Sequence, residues 1–122
     1  MGRRRYAVVL TETCHVVAVA PDAAGSSLRT FSRNDPTPLA TASEPWRIAA
    51  LRPTRRGGHV VYGGAAATLR VRRTHDLHVC HDVSLPGASP CTCLCFHGDS
   101  QYLLVGRGDG SIAVVARVAA PE

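Results

Sequence analysis

Lysine is absent from this sequence. All 14 basic residues of the 122-residue chain are arginine, set against nine acidic residues for a net charge of +5. Lysine acetylation and ubiquitination within the chain are therefore excluded, and an all-arginine set reads first as coding bias. The arginines fall in small groups: Arg3 to Arg5, Arg52 with Arg55 and Arg56, and Arg70 with Arg72 and Arg73. None reaches the run of about 5–8 basic residues that marks a nucleic-acid patch. Long apolar runs are missing too; none approaches the ~20 residues of a membrane span. Met1-Gly2-Arg3-Arg4-Arg5 is basic, but no signal-like apolar core follows, and Tyr6 stands where a myristoylation signal needs Ser or Thr. These absences predict a soluble, cytoplasmic chain with no nucleic-acid partner.

Aromatic residues make up only 5% of the chain. A helical period is lacking as well, since no stretch sustains apolar residues at i, i+3, i+4 and i+7 between caps. What is present is a globular composition, 45% hydrophobic and 19% charged, with 11 Gly and 8 Pro pointing to many turns. The length suits one domain. The five cysteines, at 14, 80, 91, 93 and 95, are odd in number and crowded in one short run. That is a poor disulfide framework, and reduced thiols are expected.

The informative feature is an internal repeat. Val60-Val61-Tyr62-Gly63 followed by Thr68-Leu69-Arg70-Val71 aligns with Leu103-Leu104-Val105-Gly106 followed by Ser111-Ile112-Ala113-Val114, at an offset of 43 without a gap. Each reads strand, tight turn, strand, and Gly63, Gly106, Asp109 and Gly110 are the expected structural turn residues. The Asp109-Gly110 step is a strong hairpin signal. Ile48 to Leu51 forms the strand before the first hairpin, and Cys93 to Phe96, at offset 45, the strand before the second. A weaker copy runs earlier: Ala7 to Leu10, then Val16 to Val19, which lie 43 residues before His59 to Tyr62, then Ser27 to Phe31. Pro38 to Thr41 and Leu77 to Val83 supply fourth strands.

The sequence thus divides into units at about 6–42, 46–84 and 90–118. Four short strands repeating every ~43 residues mark β-propeller blades of the WD-repeat class. The expected fold is all-β, a partial propeller of about three four-stranded WD-like blades, the last incomplete. Closed propellers take about four to eight blades, so three belong to a larger ring or are completed by another chain.

No motif in the chain demands chemistry. Cys91, Cys93 and Cys95 sit near His75, His78, Cys80, His81 and His97, but C-x-C-x-C on a strand puts three sulfurs on one face ~7 Å apart, which spaces them rather than converging them on a metal. Cys93 and Cys95 align with Ile48 and Ala50, which argues for small buried side chains. A Cys/His nucleophile lacks an orienting third group. Arg107-Gly108-Asp109 is an integrin-type tripeptide on an expected exposed tip, where a tight turn wants Gly and Asp in any case. Gly106 to Gly110 lacks the Lys and the following helix of a phosphate loop. Arg70 and Arg72 project from the face opposite Leu69 and Val71 and read as a solvated face. No enzyme activity, cofactor or metal is expected, and partner-binding residues cannot be assigned.

Ile48 to Leu51 and Leu103 to Val114 resemble WD repeats, although Arg72-Arg73 and Val115-Ala116 stand where a Trp-Asp pair ends the third strand and no Gly-His opens the units. The run Pro90 to Val115, with Thr68 to Val71 and His75-Asp76-Leu77, resembles the last blades of BEACH–WD40 proteins of the neurobeachin type. That resemblance implies a non-catalytic scaffold in vesicle trafficking or granule biogenesis, with protein partners and peripheral membrane association through the parent protein. The competing expectations are a WD-repeat subunit of another complex and a small Cys/His zinc-binding protein.

Overall fold

The computed structural model describes residues 7–10, 15–21, 25–32, 35–54, 57–97 and 102–116, and the side chains of these from Val19 and from Gly25 onward. Among the described residues there are eleven strands and no helix. They form three antiparallel sheets. The first holds β1 (Ala7–Leu10), β2 (His15–Pro21), β3 (Ser26–Ser32) and β4 (Ala40–Glu44). The second holds β5 (Ile48–Pro53), β6 (His59–Gly64), β7 (Thr68–Arg73) and β8 (Val79–Ser84). The third holds β9 (Cys91–His97), β10 (Tyr102–Arg107) and β11 (Ile112–Ala116).

Each sheet is a meander in which chain order equals spatial order. The first strands of successive sheets touch, β1 with β5 and β5 with β9, so they line the inside of the stack. Two cores result, one on each face of the middle sheet. Val19 and Leu28 pack with Leu51, Val60, Tyr62 and Leu77 between sheets one and two. Val61 and Leu69 pack with Leu85, Cys91, Leu94, Leu103 and Val105 between sheets two and three. The period-2 alternation of β6 makes this arrangement: Val60 and Tyr62 point back, Val61 points forward, and all three are buried. A strand buried on both faces reads as a continuous apolar run, as His59-Val60-Val61-Tyr62 nearly does.

The repeat is closer than the sequence alignment made it. Ala49 is a bulge in β5, between the pairs Ile48↔Gly64 and Ala50↔Gly63. Thr92 is the same bulge in β9, between Cys91↔Arg107 and Cys93↔Gly106. The inner strands therefore align at offset 43, Ile48 with Cys91 and Leu51 with Leu94, and the offset of 45 is corrected. In the first sheet the shift is of another kind. Offset 43 matches Val19 to Tyr62, yet Val19 faces forward into the first core and Tyr62 faces back into it. A one-residue slip exchanges the faces of a strand, so the early copy is out of register with that alignment. The fourth strands also start later than expected, at Ala40 and Val79.

Candidate functional site

The chemically distinctive groups lie between the sheets. Glu44, the last residue of β4, is 2% exposed, and its carboxylate reaches across to the middle sheet. It accepts hydrogen bonds from the Tyr62 hydroxyl, from Arg70 Nη1 at 3.0 Å and from Arg72 Nη2 at 3.2 Å. Arg72 Nε donates to the Tyr62 hydroxyl at 2.8 Å and its Nη1 to the Leu77 carbonyl at 2.7 Å. Arg70 pairs in addition with Asp82 across the β7–β8 ladder at 2.8 Å. Leu77 adopts φ 59 to present that carbonyl, the single non-glycine with positive φ among the described residues. Burial, and then the acceptor role of Glu44, push the Tyr62 hydroxyl well above the usual tyrosine range. Pairing with Arg70 lowers the Asp82 carboxyl from its ordinary value.

The solvated-face assignment of Arg70 and Arg72 is thereby corrected. Both project opposite Leu69 and Val71 as the strand period requires, but that face is covered by the first sheet. Arg72 is only 9% exposed. A buried guanidinium demands a carboxylate, and Glu44 supplies it. Glu44 falls between the expected units 6–42 and 46–84, where the sequence analysis assigns no strand or site residue.

The expected turn residues separate into two pairs. Asp109 and Gly110 do sit at the β10–β11 hairpin. Gly110 has φ 88 and donates to the Arg107 carbonyl at 3.0 Å. Asp109 Oδ1 accepts from the Ser111 amide at 2.9 Å and from its hydroxyl at 2.6 Å, which lowers the Asp109 carboxyl below its usual value. Gly63 and Gly106 instead lie inside β6 and β10. Their function is close approach. A Cβ on Gly63 would stand 2.7 Å from Leu69 Cδ2 and 3.0 Å from Cys91 Sγ, and one on Gly106 would stand 2.4 Å from Cys93 Sγ.

The cysteines are also redistributed. The Thr92 bulge breaks the alternation, so Cys91 faces the second core at 1% exposure while Cys93 and Cys95 are exposed. Burial raises the Cys91 thiol above its ordinary value. The expectation of Cys93 and Cys95 as buried core residues is thus overturned, as is the placement of all three sulfurs on one face. Among the described residues no group of three or more His, Cys, Asp or Glu side chains converges as metal ligands do. The Arg107-Gly108-Asp109 tripeptide is not displayed as a unit either. Arg107 is 7% exposed and donates to the Pro86 carbonyl and, at 2.6 Å, to the Ser89 carbonyl, while Gly108 and Asp109 face solvent.

One surface stands out. The outer face of the third sheet carries Ile112 at 70%, Val114 at 62% and Tyr102 at 46% exposure. Strand pairing sets Leu104 between Cys95 and Val114, and Gly106 between Cys93 and Ile112, on that same face. No helix of the described residues is long and apolar enough to cross a membrane.

This geometry, four-stranded meanders stacked face to face with their first strands innermost, is that of a β-propeller segment. The chain matches no protein-family model and no curated protein. Solved structures do match it. The computationally designed Ika4 protein superposes with a TM-score of 0.70 at 21% identity, over 89% of this chain and 63% of that one. The designed Ika8 protein gives 0.70 at 21% identity, over 90% of this chain and 32% of that one. U3-55K, a WD40 protein, gives 0.67 at 17% identity, over 84% of this chain and 39% of that one. The chain spans less than two thirds of the length of each of the three. Such identities bear on the fold, which is an all-β partial propeller of three WD-like blades, the third with three strands among the described residues.

Proposed function

We propose that this chain is a non-catalytic protein-interaction scaffold, formed by the C-terminal propeller blades of a neurobeachin-like protein of vesicle trafficking or granule biogenesis. The observation that carries the scaffold reading is the use made of the buried polar groups. Glu44, Tyr62 and Arg72 close on one another between two sheets, and Arg107 closes on the loop between β8 and β9. Each holds blades or loops in place and leaves strand faces and hairpins as the surface for partners. The family assignment rests on the Pro90 to Val115 run, which coincides with one structural unit, β9 through β11. Its partners are then proteins, and its place is the cytoplasm, peripheral to endomembranes through the parent protein.

An antibody raised against residues 35–54 tests this in source cells. The account expects a polypeptide far heavier than the 12.9 kDa chain, whose peptides include a BEACH domain, partly recovered with membranes. A native product of 12.9 kDa alone, or a large product without that domain, contradicts the assignment.

A further inference from the structure

We infer that Ser89, in the loop between β8 and β9, is a phosphorylation site for a proline-directed kinase, and that the phosphate it receives is held by the buried guanidinium of Arg107. This rests on the loop and the β10–β11 hairpin, not on which family or partners the blades have.

Two arginines are buried among the described residues, Arg72 and Arg107. Arg72 has the Glu44 carboxylate as its counter-charge. Arg107 has only neutral oxygens. Its Nη1 donates to the Pro86 carbonyl and its Nη2 to the Ser89 carbonyl at 2.6 Å, while Nε is buried with no hydrogen-bond partner. The Asp109 carboxyl, lowered chiefly by Ser111 and to a smaller extent by Arg107, has its Oδ1 on the Ser111 amide and hydroxyl and makes no ion pair with Arg107. A buried guanidinium without a counter-charge is costly, so this place suits an anion.

The edge left without an anion is the one that other arginines of the chain use for theirs. Arg70 takes Asp82 through Nε and Nη2, and Arg73 takes Asp76 through the same two nitrogens. In Arg107, Nη2 is turned to the Ser89 carbonyl and Nε has no acceptor. Only Cα, Cβ and the carbonyl carbon separate the Ser89 hydroxyl oxygen from that carbonyl oxygen, so a phosphate on Oγ can reach the same edge. A phosphate binds a guanidinium fork about twice as strongly as a neutral acceptor does. Ser89 Oγ also accepts from the Asp109 amide at 3.0 Å, a role that an ester oxygen can keep.

The loop is open to an enzyme. Pro86, Gly87, Ala88 and Pro90 are exposed and Ser89 is half-buried. Pro90 biases Ser89 toward extended backbone, and a ring without an N–H at the following position is what a proline-directed kinase reads. In the transfer, Ser89 Oγ attacks the γ-phosphorus of ATP, the bond from that phosphorus to the bridging oxygen breaks, ADP leaves, and the hydroxyl proton passes to the base of the kinase. The product carries a charge of about −1.5 to −2 at pH 7. The other Ser/Thr-Pro step of the sequence, Thr37-Pro38, is exposed too. Its Thr37 amide donates to Asp35 at 2.9 Å, and among the described residues no guanidinium bonds to it.

Treatment of the folded full chain with a mitogen-activated protein kinase, ATP and magnesium tests this, with the site mapped by mass spectrometry and the phosphoprotein titrated by phosphorus NMR. Thr37→Ala, at an exposed loop residue, leaves Ser89 as the single Ser/Thr-Pro step. Phosphate is expected on Ser89. In urea that phosphoserine should titrate near pH ~6. In the folded chain its midpoint should lie at least about one pH unit lower, as an adjacent guanidinium requires. Arg107→Gln should return the midpoint to the value in urea. The Arg107 Nε–H proton of the unsubstituted chain should also move downfield on phosphorylation, a readout that does not need the variant to fold. A folded chain left unmodified at Ser89, a Ser89 phosphate that titrates as it does in urea, or an Arg107 Nε–H that does not respond would each overturn the proposal.

Discussion

The Tyr62 hydroxyl donates to the Glu44 carboxylate across the gap between two sheets, and Arg72 binds both. The second gap solves the same packing problem without charge. Strand pairing sets Ser26 beside Glu44 and brings Leu85 to the equivalent place beside Ala67. Tyr62, Arg70 and Arg72 become Val105, Ala113 and Val115 at offset 43. All four replacements belong to the apolar second core or pack against it.

Glu44→Ala should therefore be among the most damaging single changes in the chain. It leaves Arg72 buried without a counter-charge, at a cost of about 3–5 kcal/mol. The volume-conserving set Glu44→Leu, Tyr62→Phe and Arg72→Met, which imitates the second gap, should recover to within about 1.5 kcal/mol of wild type. Chemical denaturation of the two variants beside the parent checks the contrast.

Alkaline stability should report on Tyr62. Its folded-state hydroxyl titrates above the unfolded value, so the protonated form favours folding. That contribution is present in full below the unfolded tyrosine value near pH ~10 and is lost as pH rises beyond it toward the folded value. Cys91, raised in the same direction, adds a decline beginning near pH ~8.5. Melting midpoints recorded from pH 8 to 11 should fall, and Tyr62→Phe should flatten the upper part of the curve.

Gly63→Ala should destabilise by about 1–3 kcal/mol, because its Cβ must push Leu69 or Cys91 inside a packed core. Gly58→Ala meets nothing within 4 Å and should move stability by no more than about 0.5 kcal/mol. Parallel thermal melts of the two variants separate a close-approach glycine from one without that constraint.

Cys91 should resist alkylation in the native state and react on unfolding, as its burial and raised thiol imply. Protein purified without chelator should carry no stoichiometric zinc. Peptide mapping after a thiol-reagent pulse and elemental analysis address both points. One zinc per chain, lost with Cys93→Ser and Cys95→Ser, would remove the structural account of β9.

The strands and their stacking were legible in the sequence wherever two copies kept the same turn length, as in β6–β7 and β10–β11. The inner strands were misaligned by two residues because Cys93 to Phe96 is as apolar as Cys91 to Leu94, and composition does not reveal a bulge at Thr92. That same bulge reversed the reading of the cysteines, since period-2 alternation holds only while the ladder is regular. In the first sheet the hairpin lengths differ, and Val19 fell on the wrong face. Arg70 and Arg72 carried a usable signal, two charges on a strand whose repeat partners are Ala113 and Val115. Their partner Glu44 lies 26 and 28 residues away in a polar segment, and only the fold brings them together.

Side-chain proximity across the two gaps is the most direct measurement of the three-blade stack. Nuclear Overhauser spectra of methyl-labelled protein should show the Tyr62 ring against methyl groups that the first sheet contributes to the first core, Val19 or Leu28 among them. They should also show Leu69 methyl groups against Leu94 or Leu103, because each set shares one buried cluster. A cooperatively folded chain whose Tyr62 ring contacts no residue of the first sheet, or whose Leu69 contacts none of the third, would contradict the stack of blades.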